Sequence, residues 1–148
     1  MNDYRIGDLT VGLREEFRRT VTAEMMDAFE QMSGDVNPLH RDASFAAGNG
    51  YPGRVVYGML TASLYSALAG VYLPGKYCLL RSVDAKFLKP VFIGDALTVI
   101  GEVAEIHADL GVASIRASIV NQRGERVSRA VIQCGFLPGG DGGAHGAV

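Results

Sequence analysis

The stretch Ser33-Gly34-Asp35-Val36-Asn37-Pro38-Leu39-His40-Arg41-Asp42 holds the densest set of reactive residue types in the chain. A carboxylate, Asp35, and an imidazole, His40, stand five residues apart in it. Pro38 keeps the segment irregular and pushes Asn37 toward an extended conformation. A loop of this kind can aim both side chains at one point, which a regular helix could not do at that spacing. An Asp–His pair can hold a water and exchange a proton with it. Histidine titrates near neutral pH, which suits both directions of such a transfer. A plainer reading uses the same residues. Asp35 closes an Asx turn, Asn37-Pro38 is ordinary turn chemistry, and His40 is a packed or exposed loop histidine.

A second candidate is Tyr57-Gly58-Met59-Leu60, at the start of an expected helix. Backbone N–H groups in the first turn of a helix have no partner within it. They can stabilise a negative oxygen that develops beside them. Glycine at position 58 lets a carbonyl approach closely, or it serves only close packing of the helix start. Thr61, Ser63 and Ser66 follow in the same helix. Small hydroxyl residues there usually bond a backbone carbonyl, and one of them could instead orient Asp35. The chain has no GxSxG, Walker, GxGxxG or HExxH motif. Its three histidines include His107 in an expected turn and His145 in the tail, so no metal site is expected.

The elements that must position these groups follow from pattern. Residues 11–21 mix apolar and charged types and are expected to form a first strand. Thr22 is an expected N-cap with Glu24 in the first turn, and Met25, Ala28, Phe29 and Met32 share one helical face. Gly34 should end that helix. Asp42 is expected to cap a short helix over residues 43–47. A long uncharged segment, 55–73, contains the expected central helix over 58–69, ending at Gly70, with Leu73-Pro74-Gly75 as the turn out. Strands are expected at 78–87, 96–106 and 126–137. A further one has Ala113, Ile115, Ala117 and Ile119 alternating with a wet face of Ser114, Arg116 and Ser118. Asn121-Gln122-Arg123-Gly124 is a hairpin turn. Helices and strands in separate blocks point to an α+β fold with an antiparallel sheet curled around one apolar helix. Residues 1–137 form one domain in this reading, and the Gly-rich tail 138–148 is expected to be disordered.

The 148 residues carry a net charge of −2, with acidic groups scattered and no block of Lys and Arg. That excludes the basic footprint of a nucleic-acid binder. The segment 55–73 approaches the length of a membrane span, but its glycines, hydroxyls and tyrosines fit a buried helix better. Cys78 and Cys134 form no CxxC pair, so a disulfide is allowed but not demanded. A reduced, cytoplasmic compartment is the simpler expectation. Residues 1–7 lack the apolar stretch of a secretory signal.

Taken together, Ser33-Gly34-Asp35-Val36-Asn37-Pro38-Leu39-His40, Phe45-Ala46 and Val56-Tyr57-Gly58-Met59-Leu60 resemble the MaoC-like (R)-specific enoyl-CoA hydratases. Leu73-Pro74-Gly75 and Phe87-Leu88-Lys89-Pro90-Val91-Phe92-Ile93-Gly94-Asp95 are similar to that family too. The resemblance implies a hot-dog fold and at least a homodimer. It implies an acyl-CoA or acyl-carrier-protein thioester substrate, to which water is added reversibly without a cofactor. It makes Asp35 and His40 the catalytic pair and the Gly58 amide the oxyanion hole. It makes Ser66 a support for the aspartate, with Asn37 supporting beside it. Tyr57 and Met59 are then expected at the substrate pocket. Tyr57 departs from the family, which usually has His before Gly-Met. Arg81 and Lys86 either meet CoA phosphates or lie on a solvated face, and the solvated face is favoured. Two other readings are a thioesterase on the same fold and a non-catalytic acyl-thioester binding module. Against the thioesterase, residues 58–69 contain no carboxylate.

Overall fold

The computed structural model describes residues 1–140. Its centre is α4 (Gly58–Ala67), wrapped by one five-stranded antiparallel sheet. The strands are β1 (Arg14–Thr20), β2 (Cys78–Phe87), β3 (Ala96–His107), β4 (Val112–Val120) and β5 (Arg126–Phe136), in the order β1-β3-β4-β5-β2. Three α-helices precede α4: α1 (Ala23–Ser33), α2 (Pro38–Arg41) and α3 (Ala43–Gly48). This is the expected α+β hot-dog arrangement in a single domain.

Period-two alternation in β3, β4 and β5 builds the inner face. Leu97, Val99 and Val103, then Ala113, Ile115, Ala117 and Ile119, then Ala130, Ile132 and Cys134 are all buried. From the helix side, Leu60, Leu64, Tyr65 and Leu68 enter the same core. Each fully buried Leu or Ile contributes about 1.5–3 kcal/mol relative to exposure. Gly101 marks the closest approach of the two layers. A Cβ there would sit 2.9 Å from a Leu68 methyl and 3.2 Å from one of Ile115. The sheet can curl onto the helix because that position carries no side chain.

Local rules set the boundaries near the site. Thr22 Oγ1 accepts from Met25 N–H and starts α1, and Gly34 at φ 74° ends it. Asp42 accepts from the amides of Ser44 and Phe45 and starts α3. Two boundaries differ from expectation. Residues 35–37 are irregular as expected, but Pro38 opens the helix α2 with Asn37 as its N-cap. Proline suits a first helical position, where its missing N–H would have no partner anyway. The central helix does not stop at Gly70. Beyond Ala67 it widens into a single π-type turn over Leu68–Tyr72. Leu73 N–H then donates to Leu68 O at 2.8 Å, and burial of Leu68 and Ala69 holds the turn against the core. Leu73–Pro74, beyond it, is a cis peptide. Ser114, expected on a wet face, is buried and donates to Gln133 Oε1 at 2.7 Å.

Pro138 to Gly140 form a turn, with Ile6 N–H donating to Gly140 O at 2.8 Å. The remainder of the expected tail, 141–148 with His145, lies outside the described residues. Cys78 and Cys134 are both free thiols. No described helix is long and apolar enough to cross a membrane.

One polar chain crosses the core. Tyr65 Oη donates to Ser128 Oγ at 2.9 Å, and Ser128 Oγ donates to Lys86 O at 2.8 Å. Burial pushes the Tyr65 phenol up to about 12. In the unfolded chain it ionises near 10. Its contribution is therefore complete below about pH 10 and is lost as pH rises through about 12. Tyr65→Phe is expected to lower stability by about 1 kcal/mol at neutral pH. In urea melts the gap to wild type should close between about pH 10 and 12. A gap that stays constant over that range would contradict this account.

Candidate active site

Three separate pieces of chain meet around Tyr57: the loop after α1, the short helix α2 and the start of α4. The first piece is built on α1. Ser33 Oγ donates to Phe29 O at 2.7 Å and accepts from Asp35 N–H at 3.1 Å. Asp35 Oδ1 then accepts from Asn37 N–H at 3.1 Å, which is the expected Asx turn. The turn and a catalytic role are compatible, because Oδ2 makes no hydrogen bond within the described chain. Asn37 supports the next piece. Its Oδ1 accepts from Leu39 N–H at 3.0 Å and so caps the helix that carries His40. An ion pair between Glu30 and Arg41 fastens α2 back to α1.

His40 is held from the opposite side. Its Nδ1 lies 2.7 Å from Val55 O. A carbonyl can only accept, so Nδ1 carries the hydrogen and neutral His40 presents Nε2 as a lone pair. Arg54 Nε donates to His40 O at 2.7 Å, and Val55 N–H donates to Leu39 O at 3.1 Å. Residues 54 and 55 thus clamp α2 at both backbone and side chain. Val56 N–H in turn donates to Val91 O at 2.8 Å. The Lys89-to-Asp95 segment is therefore scaffolding for the clamp. Asp95, buried, closes its turn by accepting from Phe92 N–H and from Gln122 Nε2.

Tyr57 joins the pieces. It is 2% exposed, and its Oη donates to Asp35 O at 2.7 Å. Its ring stacks on the His40 imidazole at 4.2 Å and packs, tilted, against Phe29 at 4.7 Å. Burial, and then the negative charge of Asp35, raise the phenol above its ordinary value, so it stays protonated as a donor. The next residue, Gly58, opens α4 with no side-chain cap. The first intrahelical bond is Thr61 N–H to Tyr57 O, which leaves the earlier amides of the turn without helical partners. A Cβ on Gly58 would lie 3.4 Å from the Phe87 ring, an ordinary contact, so the ring packs over the helix start without itself requiring glycine.

His40, Gly58 and Thr61 line one cavity of about 350 Å³, with Val56, Phe87, Val91 and Val127 as apolar walls. A larger cavity of about 540 Å³ lies elsewhere, among Arg14, Lys86, Arg116, Arg126 and Arg129, and contains neither His40 nor Gly58. The smaller one is the candidate site, because it brings His40 and the free amides of α4 together.

The expected site residues thus separate. His40 and Gly58 line the cavity, whereas Asp35 and Asn37 do not line it and are tied to it through the Tyr57 hydroxyl and the cap of α2. Tyr57 does not line the cavity, because its ring is buried behind His40. Met59 is 65% exposed and does not line it either. Ser66 is exposed, and no hydrogen bond joins it to Asp35 among the described residues. Lys86 lies 3.5 Å from Asp84 with both side chains exposed, in keeping with a solvated face. His107 ends β3, exposed beside Glu105. No group of three metal-ligating side chains occurs among the described residues. The Val55 carbonyl and Arg54 were not foreseeable as clamps, since a backbone acceptor has no sequence signal.

Comparison with known proteins places this geometry. The MaoC-like domain profile matches residues 10–123. An (R)-specific enoyl-CoA hydratase from Aeromonas caviae is 38% identical over 116 residues, covering 78% of this chain and 87% of the relative. A 3-hydroxybutyryl-CoA dehydratase from Methylorubrum extorquens is 38% identical over 67% of this chain and 63% of the relative. Among solved structures, the (R)-hydratase from A. caviae involved in PHA biosynthesis superposes with a TM-score of 0.83 at 34% identity. That match covers 87% of this chain and 98% of the other. An R-hydratase from Pseudomonas aeruginosa superposes with a TM-score of 0.85 at 29% identity, over 90% and 86% of the two chains. The chain belongs to the MaoC-like family of hydratases and dehydratases.

Proposed function

We propose that this chain is an (R)-specific enoyl-CoA hydratase and 3-hydroxyacyl-CoA dehydratase, adding water reversibly to a trans-2-enoyl thioester. The observation that carries the reading is the cavity shared by His40 and the uncapped start of α4. One supplies a proton acceptor with a fixed tautomer, and the other supplies donors for a developing oxyanion. The names of the relatives supply the substrate class.

In hydration, Asp35 and His40 hold a water. One of them takes its proton as the oxygen bonds to the β-carbon. The electron pair of the alkene moves toward the thioester, whose oxygen becomes enolate-like and accepts from the Gly58 N–H. The α-carbon then takes a proton from the same pair, and the enolate collapses to the thioester. Dehydration is the reverse. The reaction is redox-neutral and calls for no electron carrier. CoA and an acyl carrier protein remain alternative carriers, and relatives of both kinds are named.

A homodimer is part of the proposal. β2 is a free sheet edge of ten residues, and Leu79, Leu80, Val83 and Phe87 on it are exposed, with Val131 beside them on β5. Such an edge needs a partner. The uncharged, exposed residues Met59, Ser63 and Ser66 of α4 add to the same requirement. A cytoplasmic setting suits the two free thiols, whose strands adjoin.

Three outcomes are expected. Purified protein should remove the enoyl absorbance of crotonyl-CoA, and Asp35→Asn should lower kcat by about 10²–10⁴-fold. A wild type that binds but never turns over any enoyl thioester would end the reading. Tyr57→Phe keeps the stacked ring but leaves Asp35 O without its donor. It should cost about 1 kcal/mol in urea melts and speed hydrogen exchange at the Asn37 and Leu39 amides. Unchanged exchange would show that the hydroxyl holds nothing. Sedimentation equilibrium should give at least twice the chain mass, and Val83→Lys should shift it toward monomer.

A further inference from the structure

We propose that Thr61 is a second substrate-contacting donor of this site, its hydroxyl sharing the thioester oxygen with the Gly58 amide. The proposal rests on the enoyl-thioester reading above. Thr61 is 2% exposed, and its Oγ1 is the one buried side-chain polar atom without a hydrogen-bond partner among the described residues. The other buried polar side chains are satisfied. Asp95 accepts from Phe92 and Gln122, Ser114 donates to Gln133, Asn121 bonds Glu125 and Arg123, and Ser128 joins Tyr65 to Lys86. A fold this complete in its polar accounting leaves an orphan where something else is meant to bond it.

The usual exit for a helical threonine is also unused. Its hydroxyl would normally donate to the carbonyl four residues back. Here that carbonyl, Tyr57 O, takes the Thr61 N–H at 3.1 Å, and the hydroxyl makes no bond to it. Valine has nearly the same shape and would fill the position without an unmet hydroxyl.

Position then supplies the ligand. Thr61 and Gly58 line the same cavity as His40. Residues three apart lie on one helix face, and helical side chains lean toward the N-terminus. The Thr61 side chain therefore stands over the first turn of α4, where the free amides are. Of the remaining walls, Val55, Val56, Phe87, Leu88, Pro90, Val91 and Val127 have apolar side chains, Lys89 is paired with Glu125, and Tyr51 carries the one other side-chain hydroxyl. A thioester oxygen has two lone pairs and gains charge as the enolate forms, so it can take both donors at once.

The test compares wild type with Thr61→Val and Thr61→Ser on crotonyl-CoA, with melting temperature followed in parallel. The expected result for Thr61→Val is a melting temperature equal to or above wild type. Its kcat/KM should fall about ten- to a hundredfold, mostly in kcat. Thr61→Ser, which keeps the hydroxyl, should stay within about threefold in the same assay. A Thr61→Val enzyme within about twofold of wild type would overturn the proposal. So would a Thr61→Ser enzyme as impaired as Thr61→Val. Should wild type turn over no enoyl thioester, the hydratase reading fails by itself. The Thr61 proposal is then decided by binding of saturated butyryl-CoA. Affinity lost in Thr61→Val and kept in Thr61→Ser supports it, and equal affinity in all three overturns it.

Discussion

The Tyr57 side chain is the fastening on which the site depends. Its hydroxyl holds the backbone of Asp35, its ring carries His40, and its own backbone is the residue before the first free amide of α4. Groups proposed to act together from three segments must stay within about half an ångström of their working positions. Loops alone do not hold such tolerances. Here one buried aromatic, packed on Phe29 of α1, passes the rigidity of the core to a loop that is otherwise exposed. The clamp from Val55 and Arg54 completes the arrangement from the far side of the imidazole.

Much of this was legible in the sequence, and for identifiable reasons. Strong alternation gave β3 and β4, because the inner face of a curled sheet takes mostly apolar residues, with a polar one such as Ser128 of β5 only where it is paired. Thr22, Gly34 and Asp42 gave helix ends, because caps are local chemistry that depends on few neighbours. Asp35, His40 and Gly58 stood out because they fall at breaks in the helical pattern, at the end of α1, the start of α2 and the start of α4. What was not legible depends on tertiary contact. Nothing in the order Val56-Tyr57-Gly58 says that the tyrosine ring turns inward behind His40 rather than into the cavity. The continuation of the central helix past Gly70 is a second case. Burial of Leu68 and Ala69 overrides the local tendency of glycine to end a helix.

Tyr57 and Thr61 also show how the site divides its labour. Tyr57 is satisfied within the protein, so it positions. Thr61 is not, so it is left to meet the substrate. Both lie within the first turn of one helix or beside it, and both are buried polar residues in an uncharged segment. Across the core, the Tyr65–Ser128–Lys86 chain shows the opposite use of buried hydroxyls, as internal bracing with every group paired.

The central claim is that Asp35 and His40 deliver water and a proton to an enoyl thioester held at the Gly58 amide. Its most direct test is the product formed from crotonyl-CoA in heavy water, followed by NMR and chiral analysis. The account predicts (R)-3-hydroxybutyryl-CoA with a deuteron at the α-carbon and no free thiol. An (S) product, or release of CoA thiol in place of hydration, would contradict it.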